Sequence, residues 1–281
     1  MRRSAKILLA VLALSVPLIA QQQPPTPELA WVDRDGTVQK IGRLLPGAFG
    51  PRLSPDGKQV AFDADGAIWI ADLDKIASPR RIGPGRFPMW SADGTRLLFA
   101  GPQGFQLYWQ VIDGGAPEMI AAEARAPEHW STAAGVVTFI TRKGEADYDI
   151  WAFSPADRSL RPLVEVPTSA QMSSRLSPDG KWLAYEANDS GMFEVYVEPF
   201  PRTGTRTRVT TGGGQRPVWS SDGREIFFDR ENTLYVVSVR TGSQVEAGMP
   251  TRLPVTKFLQ GFGRRLWEVT PDGKRFLVMF L

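Results

Sequence analysis

Short apolar runs alternate with polar turns along most of the chain, and the pattern repeats at intervals of roughly forty residues. The clearest marker is a turn of the form Ser-x-Asp-Gly, with Thr in place of Ser once. These marker turns begin at Ser54, Ser91, Ser177, Ser220 and Thr270, and a degenerate copy at Ser131–Gly135 has Ala134 in place of the aspartate. Asp-Gly between two apolar runs predicts a hairpin, because glycine supplies the positive φ that a tight turn needs.

Two columns of large side chains behind each marker turn predict the next two strands. The first strand after the turn carries Phe62, Phe99, Phe139, Tyr185, Phe228 and, less well, Val278. The following strand carries Trp31, Trp69, Tyr108, Trp151, Tyr196 and Tyr235. A shorter strand completes each unit, so each repeat is interpreted as a four-stranded meander. At strand interiors these aromatic residues indicate packing between neighbouring units rather than a platform for sugars or bases.

The sixth unit is split between the two ends of the chain. Trp267–Leu281 supplies its first two strands, Leu29–Val32 the third strand and Val38–Ile41 the fourth. Closing the ring in this way removes the open seam that a row of blades would otherwise leave. The sequence therefore predicts an all-β fold, a six-bladed β-propeller over residues 29–281, with four-stranded antiparallel blades.

The first twenty residues have the pattern of a secretory signal peptide. Arg2, Arg3 and Lys6 precede the apolar run Ile7–Ala20, which is short for a membrane span. Residues 21–28 are a polar, proline-rich linker. We expect a periplasmic or extracellular protein with no membrane span after signal cleavage; an uncleaved membrane anchor is the alternative.

Charge and cysteine content narrow the classes of function. The chain has 33 Lys and Arg against 30 Asp and Glu, and removing the three cations of the signal leaves the two signs equal. A nucleic-acid partner is therefore not expected. The absence of cysteine excludes disulfides, thiolate catalysis and cysteine-based metal sites. We expect a monomer without cofactor or metal.

Candidate chemistry lies at the mouth of the central channel. The positions two residues before each marker Ser or Thr are Arg52, Met89, His129, Arg175, Val218 and Glu268. The loops just before them add Arg86, Phe87, Arg125, Gln215, Arg216, Arg264 and Arg265. Guanidinium groups bind carboxylates and phosphates with two parallel hydrogen bonds, so this set predicts an anion-binding mouth. Local ion pairs, such as Glu268 with Arg52, are the alternative.

The site prediction comprises Arg52, His129, Arg175, Arg216 and Glu268 as ligand-binding residues, with no catalytic residue. His129 is the only histidine, and a single histidine cannot build a histidine-rich metal site. Strand neighbours point to opposite faces, so the adjacent Glu128 does not form a catalytic pair with it. We interpret His129 as a packed or channel-lining imidazole.

The marker turns and the aliphatic-aromatic strands behind them resemble the WD40-like repeats of TolB-type propellers, from Leu29 to Leu281. Three stretches, Tyr196–Pro201, Gly212–Ser220 and Trp267–Leu277, are most similar to the propeller regions of bacterial receptor-type serine/threonine kinases. The chain carries no kinase motif, no Gly-x-Ser-x-Gly elbow and no equivalent of the α/β domain that precedes the propeller in TolB.

The resemblance implies a secreted or periplasmic module that binds an envelope protein, an anionic peptide or a small ligand. Propellers host many activities, so fold alone does not decide the function. A propeller-type hydrolase or lyase acting on an anionic sugar or lactone is the alternative. A ligand sensor with a separate signalling partner is a third possibility.

Overall fold

The computed structural model describes residues 24–144, 147–261 and 264–281, and these fold as a ring of six antiparallel sheets. The predicted signal peptide lies outside the described residues. This part of the chain contains no α-helix, and none of it could span a membrane as a helix. The six-bladed, all-β prediction is confirmed.

The strands are numbered along the chain and grouped here by blade, each from the channel outward. Blade one contains β3 (Phe49–Leu53), β4 (Gln59–Ala64), β5 (Ala67–Asp72) and β6 (Arg80–Pro84). Blade two contains β7 (Arg86–Trp90), β8 (Arg96–Ala100), β9 (Leu107–Val111) and β10 (Glu118–Ala121). Blade three contains β11 (Ala126–Ser131), β12 (Val136–Arg142), β13 (Tyr148–Ser154) and β14 (Ser159–Val164).

Blade four contains β15 (Gln171–Leu176), β16 (Trp182–Ala187), β17 (Glu194–Pro199) and β18 (Thr207–Arg208). Blade five contains β19 (Gln215–Trp219), β20 (Glu225–Arg230), β21 (Thr233–Thr241), β22 (Val245–Ala247) and β23 (Thr251–Thr256). Blade six contains β24 (Trp267–Val269), β25 (Arg275–Phe280), β1 (Glu28–Asp33) and β2 (Val38–Arg43). Blade five has a fifth strand because the long β21 pairs with β23 and also forms a hairpin with β22.

The predicted closure of the ring is confirmed, with β1 hydrogen-bonded between β2 and β25. The register pairs Trp31 with Leu277, just as Phe62 pairs with Trp69 in blade one. The assignment of Val278 to the aromatic column was therefore wrong by one residue, and Leu277 holds that position.

Hydrophobic clusters run from blade to blade, as expected for a propeller. One cluster combines Phe62 of blade one with Leu29 and Leu277 of blade six. Another combines Val195 of blade four with Phe228 of blade five. The aromatic columns also pair within blades, since ring centroids of cross-strand partners lie 5.5–6.1 Å apart in stacked geometry in blades two, four and five. The aromatic side chains are thus accounted for by packing.

The marker turns share one hydrogen-bond pattern, seen clearly in the first of them. Ser54 Oγ donates to Asp56 Oδ1 at 2.6 Å, and the Lys58 amide donates to the same oxygen at 3.1 Å. Gly57 follows with a φ of 73°. The bonds from Ser54 and Lys58 hold the pKa of Asp56 below its ordinary value. In the degenerate copy, Ser131 Oγ instead accepts from the Ala134 amide.

Candidate ligand site in the central channel

The channel has two separate openings, whereas a single mouth was predicted from the sequence. The six positions two residues before each marker turn line a pocket of ≈ 390 Å³ at one end, here called the turn-side mouth. Arg86, Phe87, Arg125 and Arg264 line a second pocket of ≈ 470 Å³, here called the entry-side pocket. A strand rises about 3.3 Å per residue, so the two ends of a five-residue inner strand cannot share one opening.

The turn-side mouth brings together four of the five predicted site residues, namely Arg52, His129, Arg175 and Glu268. They come from the inner strands of four different blades, because the closed ring places equivalent positions at one level. Prolines of three marker turns, Pro55, Pro178 and Pro271, contribute to the rim. The result is an open pocket with charged side chains inside and a rim that combines prolines with Ser and Thr of the marker turns.

Arg52 and Glu268 form an ion pair, as the alternative interpretation of the sequence predicted. Arg52 Nη1 lies 3.3 Å from Glu268 Oε1, and Arg265 Nη2 donates to the same oxygen at 2.7 Å. Arg52 Nη1 also donates to the carbonyl oxygens of Pro51 and Arg265, at 2.8 and 2.9 Å. Burial lowers the pKa of Arg52 to about 10, which leaves it charged at neutral pH. The Glu268 carboxylate thus forms ion pairs with two guanidinium groups.

Arg175 has no such partner. To the residues that the structure describes, its side chain makes a single hydrogen bond, from Nη1 to the Ser174 carbonyl oxygen at 3.2 Å. Among the described residues no carboxylate lies within 4 Å of it. Burial lowers the pKa of Arg175, and the positive charges of Arg265 and Arg52 lower it further, although the negative charges of Glu268 and Glu128 act against this. A buried cation beside other cations is stabilised by an anion, so this position favours an anionic ligand.

His129 offers a hydrogen-bond donor beside Arg175. The Leu176 amide donates to His129 Nδ1 at 3.0 Å, so in the neutral ring the proton is on Nε2. Burial lowers the pKa of His129 well below its ordinary value, and the charges of Arg175 and Arg265 act in the same direction. The imidazole is therefore neutral at physiological pH and carries on Nε2 a proton that a ligand could accept.

Arg216, the fifth predicted residue, lies deeper in the channel. It is 4 % exposed, its Nε donates to Asp229 Oδ2 at 2.7 Å, and its Nη2 pairs with Asp229 Oδ1. It lines an interior cavity of ≈ 20 Å³ between the two openings, here called the arginine constriction. The constriction is also lined by Arg52, Arg175, Arg264, Arg265 and Glu128. Arg216 is thus placed by a buried ion pair and does not join the turn-side mouth.

Carboxylates that reach from one blade to the next were missed at the sequence level. Asp63 Oδ1 accepts from the Phe87 amide at 3.1 Å, and Glu186 Oε2 accepts from the Arg216 amide at 2.9 Å. Burial raises the pKa of Asp63 to about 6 and that of Glu186 to about 7. A sequence feature that could have revealed these carboxylates is an acidic residue directly after the aromatic residue of the column, as in Phe62-Asp63 and Tyr185-Glu186.

Two indole groups fix the backbone of the mouth. Trp90 Nε1 donates to the Arg52 carbonyl oxygen at 2.9 Å, and Trp219 Nε1 donates to the Arg175 carbonyl oxygen at 3.1 Å. Each tryptophan belongs to the blade that follows the arginine. Both arginines therefore sit on backbone that is held from the next blade. No three His, Asp or Glu side chains of the described residues form a group that could hold a metal ion.

No known family model and no curated protein matches the sequence. The fold is similar to that of solved propellers. A protein assigned as TolB from Agrobacterium tumefaciens superposes with a TM-score of 0.68 at 17 % identity, covering 91 % of this chain and 98 % of that one. TolB from Acinetobacter baumannii gives 0.54 at 18 % identity, covering 89 % of this chain and 63 % of that longer one. An oligogalacturonate lyase from Vibrio parahaemolyticus gives 0.57 at 14 % identity, covering 85 % and 80 %. At these identities the similarity establishes the propeller fold.

Proposed function

We propose that this chain is a binding module whose turn-side mouth binds a carboxylate group of its partner. The partner is an envelope protein, an anionic peptide or a small ligand. The observation that carries the proposal is Arg175, a largely buried guanidinium with one hydrogen bond to a carbonyl oxygen and no acidic partner among the described residues. His129 Nε2–H and the charged Arg52 line the same pocket.

The charges of the mouth support an anionic ligand. The described lining of the mouth contains three arginines, Arg52, Arg175 and Arg265, against two carboxylates, Glu128 and Glu268, so positive charge is in excess there. A hydrogen bond to a charged group contributes about 1.5–3 kcal/mol, and a carboxylate at Arg175 can form two of them. The hydrogen bonds from the two tryptophans already hold the backbone of the mouth in place, so a ligand loses less binding free energy to ordering the protein.

The similarity to TolB structures fits a binding role outside the cytoplasm, which is where the N-terminal sequence would direct the chain. The relation to the propeller regions of receptor-type kinases, and cleavage after Ala20, stay predictions. Edman sequencing of the secreted protein tests the cleavage, because it reads the first residue of the mature chain directly.

The binding proposal is tested by titrating the protein with a dye-labelled triglutamate peptide and with its triglutamine counterpart. We expect binding of triglutamate, weaker binding of triglutamine, and a tenfold or greater loss of triglutamate affinity in Arg175→Ala, because charge-assisted hydrogen bonds are removed. Arg81→Ala, at an exposed position on β6, is the matched control and should bind like the wild type. Equal affinity for the two peptides, or an unchanged Arg175→Ala, would refute carboxylate capture at this mouth.

A lyase acting on an acidic sugar is the second candidate. It is favoured by the similarity to oligogalacturonate lyases together with arginines that suit uronate carboxylates. Incubation with oligogalacturonate, with and without divalent metal ions, is followed by the ultraviolet absorbance of an unsaturated product. Product formation that is lost in Arg175→Ala would support the lyase, whereas binding without product supports the module.

A further inference from the structure

The entry-side pocket has a composition different from that of the turn-side mouth. Its walls are largely apolar, with Phe49, Phe87, Ile140, Tyr148 and Met172 among the lining residues. Its volume of ≈ 470 Å³ lies within the range of pockets that hold small organic ligands. The arginine constriction, at ≈ 20 Å³, separates it from the turn-side mouth. A ligand bound here would therefore not occupy the site of the proposed function.

The aromatic walls are held in place by the backbone. Phe87 has a φ of 59°, which is uncommon for a bulky residue, and its amide is fixed by the hydrogen bond to Asp63. Phe49 lies so close to Gly261 that a Cβ there would come within 2.3 Å of its Cζ. Glycine at position 261 thus allows the backbone there to lie against the Phe49 ring. The aromatic surface is already formed without a ligand, which favours binding.

Three arginines line the same pocket, and none of its lining residues in the described part of the chain is acidic. The Arg264 guanidinium lies 3.8 Å from the centroid of the Phe87 ring, in cation–π geometry. In the part of the chain that the structure describes, the Arg264 side chain has neither a hydrogen bond nor an ion pair within 4 Å. Arg86 is exposed beside it, and Arg125 stacks on Phe105 at 3.9 Å.

The nearest carboxylates are already engaged. Asp63 Oδ1 accepts from the Phe87 amide, and the two oxygens of Glu128 accept from the amides of Ser173 and Ser174. Burial lowers the pKa of Arg264 to about 10, although Glu128 and Asp63 act against this, so the group stays charged at neutral pH. The pocket therefore combines an apolar wall with charged donors, and its described lining residues include no acid.

We propose that the entry-side pocket binds an amphipathic monocarboxylate. Its apolar or aromatic body packs against Phe87 and Met172, and its carboxylate is held by Arg264 and Arg86. Such a group is offered by a free aromatic or aliphatic acid, and equally by the C-terminal residue of a peptide that ends in a large apolar side chain. The two sources share one chemistry and are separated by experiment.

Calorimetric titration of the full chain tests the proposal with two pairs of probes. The free-acid pair is N-acetyl-L-phenylalanine and its amide, and the peptide pair is a glycine-rich pentapeptide ending in phenylalanine, with a free or an amidated C-terminus. We expect each acid that binds to bind at least tenfold more tightly than its amide. Binding of the small acid alone identifies a free ligand, and binding of both acids identifies peptide C-termini as ligands too.

Variants locate the binding. Arg264→Met and Arg86→Ala should each lower the affinity for the acid about tenfold or more, and Arg86 is exposed, so its replacement leaves folding intact. Arg175→Ala should leave this affinity unchanged, so failure of the proposed mouth and failure of this pocket are distinguishable. The proposal is overturned if neither acid binds, if the amides bind as well as the acids, or if Arg86→Ala binds with wild-type affinity.

Discussion

The buried carboxyl of Glu186 should make the stability of this protein depend on pH in a direction opposite to ordinary acid denaturation. Glu186 is fully buried, and it accepts from the Arg216 amide at 2.9 Å and from Ser173 Oγ at 2.9 Å. Burial raises its pKa to about 7; the nearby charge of Asp229 also raises it, whereas Arg216 lowers it. The folded protein therefore holds this proton more tightly than the unfolded chain does. The resulting stability is complete below the ordinary pKa of 4.5 and is lost as the pH rises through 7.

The size of the effect follows from the two pKa values. With 4.5 in the unfolded chain and about 7 in the folded protein, the contribution of Glu186 falls by about 2–3 kcal/mol between about pH 5 and pH 8. Other buried acids contribute to the pH dependence of the wild type, so the informative quantity is the difference from Glu186→Gln. The glutamine has the same shape and keeps an oxygen for the Arg216 amide, but it does not titrate.

Urea unfolding followed by tryptophan fluorescence measures this difference at several pH values. We expect Glu186→Gln to lose less stability than the wild type as the pH rises from about 5 to 8. The exposed Glu246→Gln is the control and should give a curve parallel to that of the wild type. Parallel curves for the wild type and Glu186→Gln would refute the reasoning, because they would show that the carboxyl titrates alike in the folded and unfolded states.

Three further predictions concern the ring and its turns. Deleting residues 28–43 removes β1 and β2 and exposes the edge of β25, so we expect a lower melting temperature and self-association on size-exclusion chromatography; an unchanged monomer would contradict the split blade. Trp31→Ala should lower the free energy of urea unfolding by about 2 kcal/mol, which is less than the loss expected for a fully buried tryptophan. The reason is that Trp31 is partly buried, with the Arg275 guanidinium 4.9 Å from its ring centroid. Asp179→Ala should cost about 1 kcal/mol by the same assay, since Asp179 Oδ1 accepts from Ser177 Oγ and from the Lys181 amide; no loss would show that the turn is held by its backbone alone.

The fold was predictable because its signals are local and repeated. Each marker turn predicts a hairpin from its own sequence, because a hydroxyl, a carboxylate and a glycine lie within four residues, as in Ser54-Pro-Asp-Gly57. The split sixth blade was predictable from the number of repeats. Six repeats have only five aromatic residues in the column after the marker turns, and Trp31 near the N-terminus supplies the sixth. The repeat of roughly forty residues did not predict the additional hairpin of β22, because this hairpin depends on the length of β21.

The candidate site was predictable only in part, because strand alternation fails at bulges. Residues at i and i+2 of a regular strand share a face, which would place Arg216 beside Val218 in the turn-side mouth. The register between β19 and β20 shifts between Gln215 and Val218, and Arg216 adopts a φ of 55°. The bulge turns its side chain into the arginine constriction, where Asp229 binds it. Inner strands of four further blades also have register shifts, so alternation alone could not assign residues to the two openings.

The closure of blade six determines how the propeller responds to a stretching force. Glu28, at the start of β1, is paired with Phe280, at the end of β25. A pull on the two ends of the described chain therefore reaches this pair once the backbone hydrogen bonds from Gly47 to Pro25 and from Leu44 to Pro27 have opened. Because the strands are antiparallel, the load opens their hydrogen bonds one pair after another, as in a zipper, rather than shearing all of them at once. The other five blades bear no load until β1 has detached. If the chain is tethered at its N-terminus and its partner holds the C-terminus, tension would open blade six first and leave the rest of the ring as a folded remnant.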